Sequence, residues 1–387
     1  MVETAAELGR RIATGAAERD VNRTYPVEQY RAVQASGLLT MRVPVEFGGP
    51  ELPFLDTGRI FFHLGEADPN LTQALLPHVC LMEKLRIYAT HDQQKHFFEQ
   101  VLDGRLITNA TAELGGKVVG QIATRVTRSG NGIRLNGRKY YCTGSAFADS
   151  FYILCLNEDG LRCLAIVPKD RPGLRIDDDW DGMGQRTTSS GTVTLDDVEL
   201  DEHEVVTLNG AGLRHTHEGA LAQLLHSAID GGIANAALND ALDFGRNRAR
   251  AVPEAGVARA GDDPYVQQTI GEMVVLVHGA QALIDRAASI MDKIVPAFLR
   301  NEPSDRHLGE ASVAVAEAKM ASEHAALRVG EMMYRIGGAS ATSRALNFDR
   351  HWRNARTHTT HDPVVYKAKV VGDFYLNRRL PPISTKY

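Results

Sequence analysis

The residues best suited to chemistry lie near the C-terminal end. His358 and His361 stand three apart, and His361 is followed by Asp362-Pro363. An imidazole titrates near neutral pH, so histidines beside a carboxylate can manage protons. On a helical turn the same spacing could begin a metal site, but no third ligand stands nearby. Arg248 and Arg250 are two guanidinium forks that suit a single phosphate, or else a solvated helix end. His215 and His217 form a His-x-His in a loop-like stretch and read as solvated. Taken alone, Thr143 reads as a strand-end hydroxyl, Gly337-Gly338 as a helix C-cap and Trp180 as a core or interface anchor. The four cysteines, Cys80, Cys142, Cys155 and Cys163, form no CxxC pair and no zinc spacing. They read as reduced, mostly buried thiols of a cytoplasmic protein.

These groups need a scaffold. The chain has 387 residues, enough for two or three domains. Charged residues make up 24% and hydrophobic residues 43%, the balance of a soluble globular protein. A net charge of -5 argues against nucleic acid as the main partner. No stretch approaches about 18 uninterrupted apolar residues, and the acidic N-terminal segment lacks an apolar h-region. Neither membrane insertion nor secretion is expected.

Three regions differ in pattern. Residues 1–105 are spaced for helices, with one beginning over 26–34 and another over 67–88, separated by the Gly/Pro-rich loop 44–50. Residues 106–207 read as strands. Asn131-Gly132 and Asn136-Gly137 are hairpin-turn signals, 150–156 and 161–167 pair across 157–160, and 191–200 is one more strand. Residues 208–387 are helical again. Val266, Ile270, Met273, Val277, Ala280, Ile284, Ala287 and Met291 mark one face of a long helix that opens at Asp262-Asp263-Pro264. A second long helix covers 307–335 and closes at Gly337-Gly338. Such apolar faces require partners, so a bundle follows.

Several runs are familiar. Ser36-Gly37-Leu38-Leu39 with Pro44-Val45-Glu46-Phe47-Gly48-Gly49, Asn109-Ala110-Thr111-Ala112-Glu113, Asn136-Gly137-Arg138-Lys139-Tyr140-Tyr141-Cys142-Thr143-Gly144 and Arg335-Ile336-Gly337-Gly338 resemble acyl-CoA dehydrogenases. The resemblance covers nearly the whole chain. It implies an α+β acyl-CoA dehydrogenase fold: an N-terminal helical domain, a central β-barrel or sandwich and a C-terminal four-helix bundle. A narrower resemblance lies in 180–191 and 348–363, above all in His358-x-x-His361-Asp362-Pro363. It points to the flavin-dependent monooxygenase branch, which includes dibenzothiophene monooxygenase and sulfur-acquisition oxidoreductases.

That branch takes reduced flavin (FMNH2) from a separate NAD(P)H-flavin reductase and activates O2 as a C4a-hydroperoxyflavin. By resemblance Thr143 sits near flavin N5, His361 manages the proton on the terminal oxygen and Asn109 reaches the flavin or substrate. Thr143, Ser145, Arg248, Arg250, Gly337, Gly338, His358 and Asp362 would bind the cofactor. Gln73, Pro77 and His78 would line the substrate pocket, with Gln73 and Pro77 replacing a histidine and a tyrosine of monooxygenases in that branch. A polycyclic substrate is therefore not carried over, and a small organosulfur acceptor is expected. A dehydrogenase needs a carboxylate base beside the flavin. The matching stretches, near 225–226 and 353–363, hold no glutamate and only Asp362. The arginines persist at 248–250, but the Phe-Gly that accompanies an FAD pyrophosphate grip is absent, which favours FMN over FAD. The family assembles as tetramers, so a homotetramer is expected. The alternatives are an FAD-dependent acyl-CoA dehydrogenase using Asp362, an N-hydroxylase of the same fold, and a flavin-free binding or scaffold protein.

Overall fold

The computed structural model describes residues 1–116, 120–130, 132–302 and 304–384. The first hundred residues form α1 (Val2–Ala13), α2 (Ala16–Asn22), α3 (Val27–Ala35), α4 (Phe54–Ala67), α5 (Pro69–Tyr88) and α6 (His91–Leu102). The apolar run of α4, with Ile60, Phe61 and Leu64 buried, packs against the C-terminal helices. Asp68 separates α4 from α5. Its carboxylate caps α5 by accepting from the Asn70 and Leu71 amides and pairs with buried Arg19 at 3.0 Å.

The strands are β1 (Ile107–Ala110), β2 (Arg125–Ser129), β3 (Gly132–Cys142), β4 (Ser150–Leu156), β5 (Arg162–Pro168), β6 (Leu174–Asp177), β7 (Gly191–Leu200) and β8 (Val205–Thr207). They join in the order β6-β7-β3-β2-β4-β5-β8, with β1 parallel to β4. Side chains alternate across a strand, so each strand can serve two cores. Phe151, Ile153 and Cys155 of β4 enter the core inside the β region, while Tyr152 joins Leu81, Met82, Phe97 and Phe98 of α5 and α6. Burial on both faces explains why β4 and β5 read as continuous apolar runs.

The C-terminal helices are α7 (Glu218–Asn247), α8 (Pro264–Leu299), α9 (Asp305–Ala341), α10 (Asp349–Thr359) and α11 (Val365–Asn377). Asp263 caps α8 by accepting from the Tyr265 amide at 2.8 Å. α7, α8 and α9 pack on one another, and α7 and α8 pack on α4. Among the described residues, α8 is the one helix long and apolar enough to cross a membrane by length and composition, and its inner face, Met273 to Met291, lies in this core.

The hairpin expected at Asn136-Gly137 is corrected: both residues lie inside β3. Asn136 accepts the Asp197 amide at 2.8 Å where β3 and β7 slip register, so its turn-forming side chain serves a bulge. A Cβ at Gly137 would lie 2.3 Å from Thr124 Oγ1, so close packing excludes a side chain there. Asn131 lies outside the described residues. The solvated reading of His217 is also corrected. It is buried, and its Nε2 lies 2.7 Å from Glu83, which also holds Arg42.

Candidate active site

Four helices bring the site together. Gln223, His226 and Asp230 lie on one face of α7, at steps of three and four residues. Gln73 approaches from α5, Lys319 from α9 and His358 from the last turn of α10. The chain then turns, with the His361 amide bonded to the His358 carbonyl, which places His361 and Asp362 beside α7.

At the centre is a buried polar chain. Lys319 Nζ lies 2.6 Å from Asp230 Oδ2, and Asp230 Oδ1 lies 2.6 Å from His358 Nδ1. His358 Nε2 meets His226 Nδ1 at 3.0 Å and Gln73 Oε1 at 2.9 Å. The His226 ring lies against the His361 ring, with centroids 4.4 Å apart. Asp362 accepts Gln223 Nε2 at 2.6 Å and lies 3.2 Å from His361 Nδ1. Asp362 is buried, whereas the His361 side chain is 54% exposed.

The electrostatics are consistent with one charged pair and two neutral imidazoles. Burial works to raise the Asp230 pKa, but Lys319 and His358 outweigh it and hold the carboxyl below its ordinary range. Burial lowers His358 below an ordinary histidine and outweighs the pull of Asp230. Burial lowers His226 further, and His361, His358 and Lys319 add to the effect.

The remaining candidate residues lie in the β region. Thr108 donates to the Thr143 carbonyl, fixing the end of β3 over β1. Thr143 Oγ1 lies 2.9 Å from Ser190 Oγ, which lies 2.8 Å from Thr188 Oγ1. The Asn109 carbonyl oxygen is buried without a hydrogen-bond partner, as is that of Gln223. The segment 184–190 ties the β region to α5 and α10. Gly184, Gln185 and Thr187 donate their amides to Thr357, Asn354 and Asn70. Trp180 Nε1 donates to the Gln185 carbonyl at 2.8 Å and meets Tyr141 edge-on, anchoring the start of this segment.

Gln73, His358, His361 and Asp362 thus converge, whereas Asn109 lies in β1 and Thr143 just past β3. Ser145 is buried and donates to the Ser189 carbonyl at 2.8 Å. His78 lines no open pocket, which corrects the expectation for it. It is fully buried, accepting the Ile107 amide at Nδ1 and donating from Nε2 to the Leu39 carbonyl, each at 3.1 Å. Burial lowers its pKa to about 4. Pro77 is buried within α5, where it removes the amide that would bond the Gln73 carbonyl.

Arg248, Arg250, Gly337 and Gly338 gather elsewhere. Arg248 follows α7, 22 residues beyond His226, about 33 Å along the helix. Both arginines are exposed. Gly337 packs against Phe244 near the same end, and Gly338 interrupts α9 at φ +52°. In the sequence His226 stands out only as a position where a dehydrogenase glutamate is missing, and no motif marks Gln223, Asp230 or Lys319. The available signal was polar residues embedded in apolar helix runs.

The acyl-CoA dehydrogenase N-terminal, middle and C-terminal domain models match residues 1–105, 108–198 and 224–365. The chain belongs to the acyl-CoA dehydrogenase family. Within it, the chain is 30% identical over 393 residues to dibenzothiophene monooxygenase of Rhodococcus qingshengii, covering 98% of this chain and 94% of that one. Its structure matches FMN-bound TdsC from Paenibacillus sp. A11-2 with a TM-score of 0.92 and 29% identity, over 100% and 99% of the two chains. It matches methanesulfinate monooxygenase MsuC from Pseudomonas fluorescens with a TM-score of 0.91 and 28% identity, over 100% and 99%.

Proposed function

We propose that this protein is a two-component flavin monooxygenase. A separate NAD(P)H-flavin reductase supplies FMNH2, O2 is the oxidant, and a small organosulfur compound accepts one oxygen atom. The carrying observation is the imidazole cluster of His226, His358 and His361 where a dehydrogenase needs a free carboxylate. Asp230 and Asp362 are both buried, one held by Lys319 and His358, the other by Gln223 and His361. Neither is poised to take an α-proton from a thioester. The relatives named for dibenzothiophene and methanesulfinate oxygenation support the same reading.

The residues present fit a flavin. The buried oxygens of Asn109 and Gln223 lack partners, and the N–H groups of a reduced isoalloxazine would satisfy such acceptors. Bound FMNH2 would supply the two electrons that activate O2. Asn109 and Thr143 would hold the ring from the β side. His361, the one imidazole of the cluster that reaches solvent, would hold and release a proton at its ring nitrogens. His358 and Asp362 would orient His226 and His361. Arg248 and Arg250 would bind the phosphate from a neighbouring copy in a homotetramer, since about 33 Å of helix separates them from their own histidine cluster.

The test is turnover under 18O2, with FMNH2 supplied by a reductase and methanesulfinate or a small thioether as acceptor. One 18O atom in the product is expected. Acyl-CoA oxidation with FAD and an artificial electron acceptor, without label incorporation, would overturn the proposal. Label on nitrogen in an amine substrate would move the reaction to N-hydroxylation.

A further inference from the structure

Outside the exposed His361, the site contains a chain of groups whose proton positions the geometry fixes. Asp230 is acceptor-only, and its second oxygen is occupied by Lys319. His358 Nδ1, 2.6 Å from Asp230 Oδ1, must therefore carry the hydrogen. A doubly protonated His358 would place two cations on one carboxylate in a site where all three side chains are at most 2% exposed. The unbalanced buried charge disfavours that state. The neutral ring then has a bare Nε2. Its neighbour His226 Nδ1, at 3.0 Å, must donate to it, and the Gln73 amide must turn its NH2 toward the same nitrogen. A neutral His226 with hydrogen on Nδ1 has a lone pair on Nε2. Among the described residues, the hydrogen bond of the His226 side chain is made through Nδ1, and Nε2 makes none.

We propose that Lys319 and Asp230 are positioning residues that lock His358, and through it His226, as Nδ1–H tautomers, leaving the His226 Nε2 lone pair open beside His361 to accept a hydrogen bond from bound substrate or cofactor. The charged and titratable groups around the chain are Lys319 and Glu323 from α9, Arg356 from α10, and His361 and Asp362 from the following turn. The low pKa values of His226 and His358 agree with two neutral rings. The tautomers do not depend on the monooxygenase reading; the use of the lone pair in turnover does.

The test is long-range 1H–15N spectroscopy of the full chain labelled with 15N-histidine, with His226→Gln and His358→Gln used for assignment. Both rings should show the Nδ1–H tautomer from pH 6.5 to 8.5. An Nε2–H or a charged ring at either position in the wild type would overturn the proposal. In Asp230→Asn, His226 should lose its tautomer although it does not touch residue 230; an unchanged His226 signal would overturn the coupling. In Lys319→Met, His358 should become charged near neutral pH; a neutral His358 there would remove Lys319 from the chain. If Asp230→Asn fails to fold, the wild type and Lys319→Met decide. Failure of 18O incorporation with intact tautomers would count against the monooxygenase reading alone.

Discussion

His78→Asn tests whether a buried histidine, rather than a pocket residue, ties α5 to β1. His78 accepts the Ile107 amide at Nδ1 and donates from Nε2 to Leu39, so only the neutral Nε2–H form fits. Protonating Nδ1 would set two donors face to face. The folded pKa is about 4, against about 6.5 for an unfolded histidine. Since the fold depresses this pKa, the stabilisation is fully present above pH 6.5 and is lost as pH falls toward 4. About 2.5 pKa units at 1.36 kcal/mol each give roughly 3 kcal/mol over that window. His351, buried against Asp240 with a pKa of about 4, adds to the wild-type loss, as do His226 and His358. The comparison between wild type and variant isolates the share of His78. At pH 7.5 the variant keeps an acceptor for Ile107 but strands the Leu39 carbonyl, at a cost of about 1–3 kcal/mol. Urea unfolding followed by circular dichroism at pH 7.5, 6.5, 5.5 and 4.5 should show a shallower decline for the variant. Parallel declines would refute the reasoning.

Three further outcomes follow from the geometry. Gly184→Ala should destabilise by about 1–3 kcal/mol, because a Cβ there would lie 2.0 Å from the Arg353 carbonyl on α10; an unchanged melting temperature would contradict that packing. Arg248→Ala with Arg250→Ala should leave stability within about 0.5 kcal/mol, both being exposed, yet weaken FMN binding more than tenfold in a fluorescence titration. Undiminished affinity would separate these arginines from the phosphate. His361→Ala should also leave stability within about 0.5 kcal/mol while lowering oxygenation by roughly 100-fold. Full oxygenation by that variant would dismiss His361 as the proton-handling group.

The sequence showed most clearly the elements governed by a single period. α8 declared itself through apolar steps of three and four and an Asp-Pro start. β4 and β5 declared themselves as short apolar runs across a Gly-containing turn. Asn136-Gly137 misled because a turn-forming pair also serves a bulge when a neighbouring strand slips register. The site was partly legible: His358, His361 and Asp362 are adjacent in sequence and carried a recognisable pattern. Their partners were not, because Asp230 lies 128 residues from His358 and Lys319 lies 89 from Asp230. The isolated polar residues in the apolar run 224–234 were the trace of that network. His78 illustrates the converse: a histidine beside the site by position was consumed by two backbone groups.

In the proposed function, the protein activates oxygen on a reduced flavin that it does not itself reduce. The most direct measurement is anaerobic loading with FMNH2 followed by mixing with oxygenated buffer in a stopped-flow spectrometer. A long-lived absorbing species distinct from reduced and oxidised flavin is predicted, with one oxygen atom delivered when acceptor is added. Immediate return of oxidised flavin with stoichiometric hydrogen peroxide, unchanged by any sulfur acceptor, would contradict the account.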